Sequence, residues 1–194
     1  MSGNPRVVES TLRGFVCAYL AYAEQPFALG QLVAVREGPF ALFGVTAEVA
    51  SGPEDPSRPL QARGDAGQSA EDVMSNNPEI RMLLRTRVTV VTCGYIDGEA
   101  PRPHLPPAPA PLLALAEAAS EAETAGLMSD GAFLAPLIAS SLCDDAVIAA
   151  TLRLAARSFG PGGRDFTVRA GKELARLLKA EPARLTSILR GVTE

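Results

Sequence analysis

Residues 13–49 read RGFVCAYLAYAEQPFALGQLVAVREGPFALFGVTAEV, three short apolar runs separated by Gly and Pro. The runs occupy Val16–Tyr22, Gly30–Val35 and Phe40–Val49. They are rich in Val, Leu, Phe and Tyr, a composition typical of β-strands, and several short strands at this spacing favour a barrel or a sandwich. We therefore predict a small β-barrel built around this stretch, which a short polar lead-in precedes.

Local signals predict turns and a bulge in this barrel. Glu37–Pro39 is typical of a turn, because Gly tolerates positive φ and Pro restricts its own φ. Gly44 lies inside the third run, where a glycine indicates a bulge or a tight corner. Arg87–Ile96 is again rich in β-branched residues and ends at the turn signal Asp97–Gly98. We expect this later segment to rejoin the sheet and complete the barrel.

A helical segment is predicted between the third run and the returning strand. Residues 51–69 are rich in Gly, Pro, Asp and Ser, which predicts a long loop. Ser69 is expected to cap a first helix, and Pro78 is expected to open a second helix at its first position.

A proline-rich segment divides the chain. Six of the eleven residues 101–111 are Pro, which predicts an extended and semi-rigid conformation. One interpretation is a stiff linker, and the other is a segment that the groove of a partner recognises. The predicted domains are a β domain, residues 1–111, and a helical domain, residues 112–194.

The second domain is predicted to be an all-α helical bundle. Leu112–Thr124 is rich in Ala and Glu, which favour helices. Asp144 and Asp165 are expected at helix N-termini, and Pro182 is expected to open the last helix. The predicted class is α+β: an N-terminal small β-barrel with an inserted helical segment, followed by a C-terminal all-α helical bundle.

Charge is distributed unevenly along the chain. Residues 1–152 carry 9 Lys/Arg against 18 Asp/Glu, whereas residues 153–194 carry 9 against 4. Four basic residues recur at helical spacing and form what we call the basic stripe: Arg169, Lys172, Arg176 and Lys179. The stripe predicts either a surface for nucleic-acid phosphate or a solvated face that pairs with the acidic first domain.

No residue set predicts a catalytic, metal or cofactor site. Cys17, Cys93 and Cys143 are far apart and lie among apolar residues, so we expect buried free thiols and a cytoplasmic protein. His104 has no evident partner for acid–base catalysis. Gly171–Glu173 resembles part of a phosphate-binding loop, but it lacks the preceding glycine and lies inside a helical period. No apolar run reaches the ~18 residues that a membrane span requires, so no membrane association is expected.

Dispersed Gly and apolar positions resemble the HAS barrel, which HerA-type helicases and rotary ATP synthase subunits share. The similar positions are Gly14–Val16, Pro26–Phe27, Gly30–Val35, Phe43–Val45, Val49 and, for the final strand and exit of the barrel, Gly94–Gly98 and His104–Pro107. Other segments are similar to stand-alone HAS-barrel proteins: Asn77–Ile80, Leu83–Leu84, Arg169–Leu174, Leu177–Leu178 and Arg184–Leu185.

This resemblance implies an assembly or docking module, because the barrel of those families lies at the collar of a ring. It does not imply ATP hydrolysis, since this chain contains no Walker A motif. We therefore expect a non-catalytic module that forms a homo-oligomer or docks on a separate ATPase or nuclease. The alternative is a DNA-processing accessory that binds nucleic-acid phosphate through the basic stripe.

Overall fold

A computed structural model describes residues 3–55, 57–98 and 100–193. The strands are β1 (Arg6–Thr11), β2 (Gly14–Ala18), β3 (Leu32–Glu37), β4 (Phe40–Pro53), β5 (Leu84–Asp97), β6 (Ala100–Arg102) and β7 (Ala116–Ala118). The helices are α1 (Ala70–Asn76), α2 (Pro78–Leu83), α3 (Glu121–Leu127), α4 (Leu134–Ile138), α5 (Asp145–Ser158), α6 (Gly163–Leu177) and α7 (Pro182–Thr193), with a 3₁₀ turn at Gly160–Gly162. The fold is therefore mixed, with an N-terminal sheet followed by helices.

The seven strands of the described residues form one antiparallel sheet in the order β1-β2-β5-β4-β3-β7, and β6 pairs with the end of β5. The three predicted runs correspond to β2, β3 and β4, and β5 lies between β2 and β4, so the predicted return of residues 87–96 to the sheet is confirmed. The short polar lead-in, for which the sequence predicted no strand, contains β1. Its Val7 is fully buried and lies opposite Cys17 of β2.

The sheet does not close into the predicted β-barrel. Its two edges meet only along a short seam, where Arg6 forms an isolated bridge with Leu115. The Val7 amide donates to the Ala114 carbonyl at 3.0 Å, and the Leu113 amide donates to the Val7 carbonyl at 2.8 Å. A continuous ladder stops there because Leu113 has φ +66°, which lies outside the β region.

The sheet is buried on both faces along its central strands. One face forms a sheet core, to which the edge residues Val7 and Ala116 both contribute, so the sheet is strongly curled. The members of this core are Val7, Phe15, Cys17, Tyr19, Ala23, Phe27, Val33, Val35, Leu42, Val88, Val90, Ala110 and Ala116. Because Ala110 is among them, the proline-rich segment packs against the sheet at that residue.

The opposite face of β3, β4 and β5 packs against the helices and forms a sheet–helix core. Phe43, Val45 and Val91 of the sheet lie in one apolar cluster with Ile148 of α5 and Leu174 of α6. The predicted all-α helical bundle is not confirmed, because the helices after β7 share this core with the sheet. The domain boundary at residue 111 stays a prediction, and β7 beyond it pairs with β3.

Helix ends follow local chemistry in most places. Ser69 caps α1 with a capping box, Asp144 caps α5, and Pro78 and Pro182 open α2 and α7, as predicted. Asp165 is not a cap, because α6 already begins at Gly163.

The predicted helix over residues 112–124 was wrong in its first half. Residues 116–118 form β7 instead, and α3 starts only after the capping box of Ser120. Pairing with the open edge of β3 outweighs the helix propensity of these Ala and Glu residues, because Ala116 can be fully buried there. Among the described residues no helix combines the length and the apolar character that crossing a membrane requires.

Gly44 lies where β4 and β5 are packed too closely for a side chain. The ladder shifts register between Phe43 and Gly44, which confirms the predicted irregularity. A Cβ on Gly44 would lie 2.5 Å from Val90 Cγ1 and 2.8 Å from the Val91 carbonyl oxygen. We expect Gly44→Ala to lower the free energy of unfolding by about 1–3 kcal/mol in urea titrations, because the core is overpacked.

Gly52 offers the matched control in the same strand. A Cβ there would meet nothing within 4 Å, so Gly52→Ala should change the free energy of unfolding by less than about 1 kcal/mol. Equal effects of the two substitutions would contradict the packing described for β4 and β5.

Candidate binding surfaces

The seam between the two sheet edges carries an apolar surface, which we call the seam patch: Val8, Leu112, Leu113 and Leu115. Arg6 and Leu115 are directly opposite, and the residues that alternate with Val8 and Leu115 along the two edges, Val7 and Ala116, belong to the sheet core. Since alternate residues of a strand point to opposite faces, Leu115 projects away from that core. Val8 lies where the β1–β2 register shifts between Val7 and Glu9, and its side chain is exposed.

The seam patch is exposed to solvent. Leu112 and Leu113 are 64% and 67% exposed, and Val8 and Leu115 are 39% and 38% exposed. Leu113 is also the non-glycine residue with positive φ in the described chain, a conformation that costs a non-glycine residue about 1–2 kcal/mol. Two neighbouring leucines are therefore exposed, and the backbone of Leu113 is strained. This combination makes the seam patch a candidate binding surface.

A cavity of about 620 Å³ lies beside the β1–β2 hairpin, and we call it the hairpin cavity. One wall comes from the hairpin and β5, and the other comes from Leu105 and the end of α4 with the loop that follows. Its apolar lining includes Val16, Val91, Leu105, Pro136, Ala139 and Leu142. Its hydroxyl-bearing lining residues are Ser10, Thr11, Thr89, Thr92, Ser140 and Ser141.

Two charged residues line the hairpin cavity, Glu9 and Arg13. Glu9 is ion-paired with Arg87 across the sheet. Arg13 is exposed at the hairpin turn, and no carboxylate of the described residues lies within 4 Å of its guanidinium. The cavity therefore combines apolar walls with one cation that has no ionic partner in the described part of the chain.

The basic stripe follows α6, with Lys179 just beyond its end. All four residues are exposed, as predicted. Arg176 donates to the Glu173 carboxylate from Nε at 2.9 Å and from Nη2 at 2.5 Å, and these hydrogen bonds hold the pKa of Glu173 below its ordinary value. By helical spacing, Asp165 lies on the same side, one turn before Arg169. The carboxylates of Asp165 and Glu173 therefore reduce the net positive charge of this helix face.

The stripe makes no ion pair with the first domain among the described residues. Arg169, Lys172 and Lys179 have no carboxylate within 4 Å in that part of the chain, and the Arg176 pair is local. The predicted pairing of this face with acidic residues of residues 1–111 therefore has no contact to support it.

The remaining sequence candidates lie apart from these surfaces. Cys17, Cys93 and Cys143 are buried free thiols, as predicted. Burial raises the pKa of Cys17 to about 12 and that of Cys143 to about 11, and it raises the pKa of Cys93 as well. The three thiols are therefore protonated at neutral pH and are poor nucleophiles. His104 is exposed, and Gly171–Glu173 lies inside α6 rather than after a strand.

Sequence reasoning missed the seam patch and the hairpin cavity. The adjacent leucines Leu112 and Leu113 directly after Pro111 could have indicated the patch, but the Ala- and Glu-rich residues that follow predict a helix there. The cavity had no local signal, since its lining residues are spread along the chain from Glu9 to Leu142. A scan against protein-family models and a search of curated proteins each found no match. We therefore infer function from the surfaces themselves.

Proposed function

We propose that this protein is a non-catalytic association module that binds a second copy of itself through the seam patch. The observation that carries the proposal is the exposure of Leu112 and Leu113, with Leu113 in a strained conformation. An apolar surface of this kind lowers its free energy when a partner covers it.

A second copy suits the patch because the patch is apolar. Its four members are uncharged, and the nearest cation, Arg6, already donates to the Leu113 carbonyl oxygen at 2.7 Å. Such a surface is complementary to itself, since the same side chains can pack across a two-fold axis without a matching charge on the partner. Four side chains per copy form a small interface, so the association is reversible and depends on concentration.

The resemblance to the HAS barrel leads to a finer proposal about architecture. We propose that the curled sheet of β1–β5 and β7, although it does not close, serves as a docking module of that kind at the collar of a larger assembly with a separate ATPase or nuclease. Two features support it: the curled sheet core, and the amide of Ala116 donating to the Pro5 carbonyl at 2.9 Å across the seam. The seam patch would then lie on the outer face of this curled sheet.

The substitution Leu113→Asn should change the stability of the fold and the strength of the dimer in opposite directions. Asn tolerates positive φ better than Leu, so the free energy of unfolding should rise by up to about 1 kcal/mol. The dimer should weaken by about tenfold or more, because the interface loses one buried leucine from each copy. Sedimentation equilibrium over a range of concentrations measures the association, and urea titration measures the stability.

Leu20→Asn is the control, because Leu20 is 82% exposed and lies outside the patch. It should leave the association constant unchanged. A protein that stays monomeric at all concentrations, or one whose dimer tolerates Leu113→Asn as well as Leu20→Asn, would remove the proposal.

A second candidate function is binding of nucleic-acid phosphate through the basic stripe. The observation in its favour is that Arg169, Lys172 and Lys179 are exposed and have no carboxylate of the described residues within 4 Å. Asp165 and Glu173 on the same side count against strong binding. This surface is separate from the seam patch in sequence, so the two functions are compatible.

Charge reversal tests this second function. In fluorescence titrations with a DNA duplex, Arg169→Glu combined with Lys172→Glu should weaken binding and lower the salt slope by about two, roughly 0.9 per lost phosphate contact. The control is Arg58→Glu combined with Arg102→Glu, which changes the net charge equally at exposed sites elsewhere. Equal losses in the two double variants would show a non-specific charge effect and exclude the stripe as the binding surface.

A further inference from the structure

We propose that the hairpin cavity binds a small amphipathic carboxylate, a molecule with an apolar body and one anionic end. This inference concerns a different surface from the seam patch and does not depend on self-association. It rests on the size of the cavity, its walls and its unpaired cation.

The cavity has the dimensions of a small-molecule site. Its volume of about 620 Å³ falls within the ~300–1,000 Å³ typical of such sites. It lies between a sheet and a separate wall formed by Leu105, Pro136 and Leu142, so a ligand would be enclosed from two sides. These wall residues can bury an apolar body, and Leu105 and Leu142 are 40% and 54% exposed and thus available for contact.

The charged residues of the cavity lining favour a negatively charged ligand. Of the two charged lining residues, Glu9 is engaged by Arg87, and this leaves Arg13 as the available charge. A guanidinium presents a planar fork of donors that matches a carboxylate, with which it forms paired hydrogen bonds. The Arg13 backbone is held in place, because its carbonyl accepts a hydrogen bond from the Thr92 amide at 3.0 Å. The cation therefore sits on a turn that is anchored to β5.

Arg13 also fixes the orientation of the ligand. Because Arg13 lies at the hairpin turn, the anionic end of the ligand is placed toward the hairpin, with the apolar body toward Leu142 on the opposite wall.

Decanoate and decyltrimethylammonium form a matched pair of probes, with the same chain and opposite charge. In calorimetric titrations below micellar concentrations, decanoate should bind saturably with one site per chain, and the cation should bind at least about tenfold more weakly. Arg13→Gln should weaken decanoate binding by about tenfold or more, the effect of losing hydrogen bonds to a charged group. Arg102→Gln, an exposed arginine outside the cavity, should not.

A cavity-filling variant locates the site. Ala139 lines the cavity and is exposed, so Ala139→Phe should block decanoate without altering the free energy of unfolding by more than about 1 kcal/mol. The proposal is overturned if decanoate shows no saturable binding, if both probes bind equally, or if Arg13→Gln and Ala139→Phe bind decanoate as the unmodified protein does. Repeating the titration with Leu113→Asn keeps the result independent of self-association.

Discussion

The pairing of β4 with β5 is the constraint on which the rest of the structure depends. The two strands pair from Phe40 opposite Asp97 to Pro53 opposite Leu84, and their central residues are buried on both faces. Leu42 and Val90 face the sheet core, whereas Phe43 and Val91 face the sheet–helix core. Because both cores are built on the same ladder, neither can form without it.

This arrangement also explains where binding surfaces are available. The helices cover one face of β3, β4 and β5, while the β1–β2 hairpin and the seam keep exposed apolar side chains such as Val8 and Leu113. The end of α4 meets the hairpin only across a cavity. The sheet thus leaves two surfaces accessible, the apolar seam patch at its edges and the partly open hairpin cavity.

Sequence reasoning found the features that short-range chemistry determines. The central strands, the turn at Gly38, the irregularity at Gly44 and the caps at Ser69 and Asp144 are all local signals, and the structure confirms them. β7 could not be found in this way, because its Ala and Glu residues favour a helix and only the distant edge of β3 makes them a strand.

The candidate sites were less predictable than the fold. The basic stripe was visible because helical spacing is local, but Glu173 and Asp165 on the same side reduce its charge. The seam patch required knowledge that β1 and residues 113–116 meet, and the hairpin cavity required the position of α4 relative to β5. Long-range pairing creates both, and a single sequence does not contain that information in readable form.

Native-state hydrogen exchange tests most directly whether one ladder supports both cores. If it does, the amides of Val45 in β4, Val91 in β5 and Leu152 in α5 should exchange with the same free energy of opening, equal to that of global unfolding. The same three amides should also respond equally to low concentrations of urea. Exchange of Leu152 at a much lower free energy of opening than Val45 and Val91 would show that the helices open independently of the sheet. That result would contradict the dependence of both cores on the β4–β5 ladder.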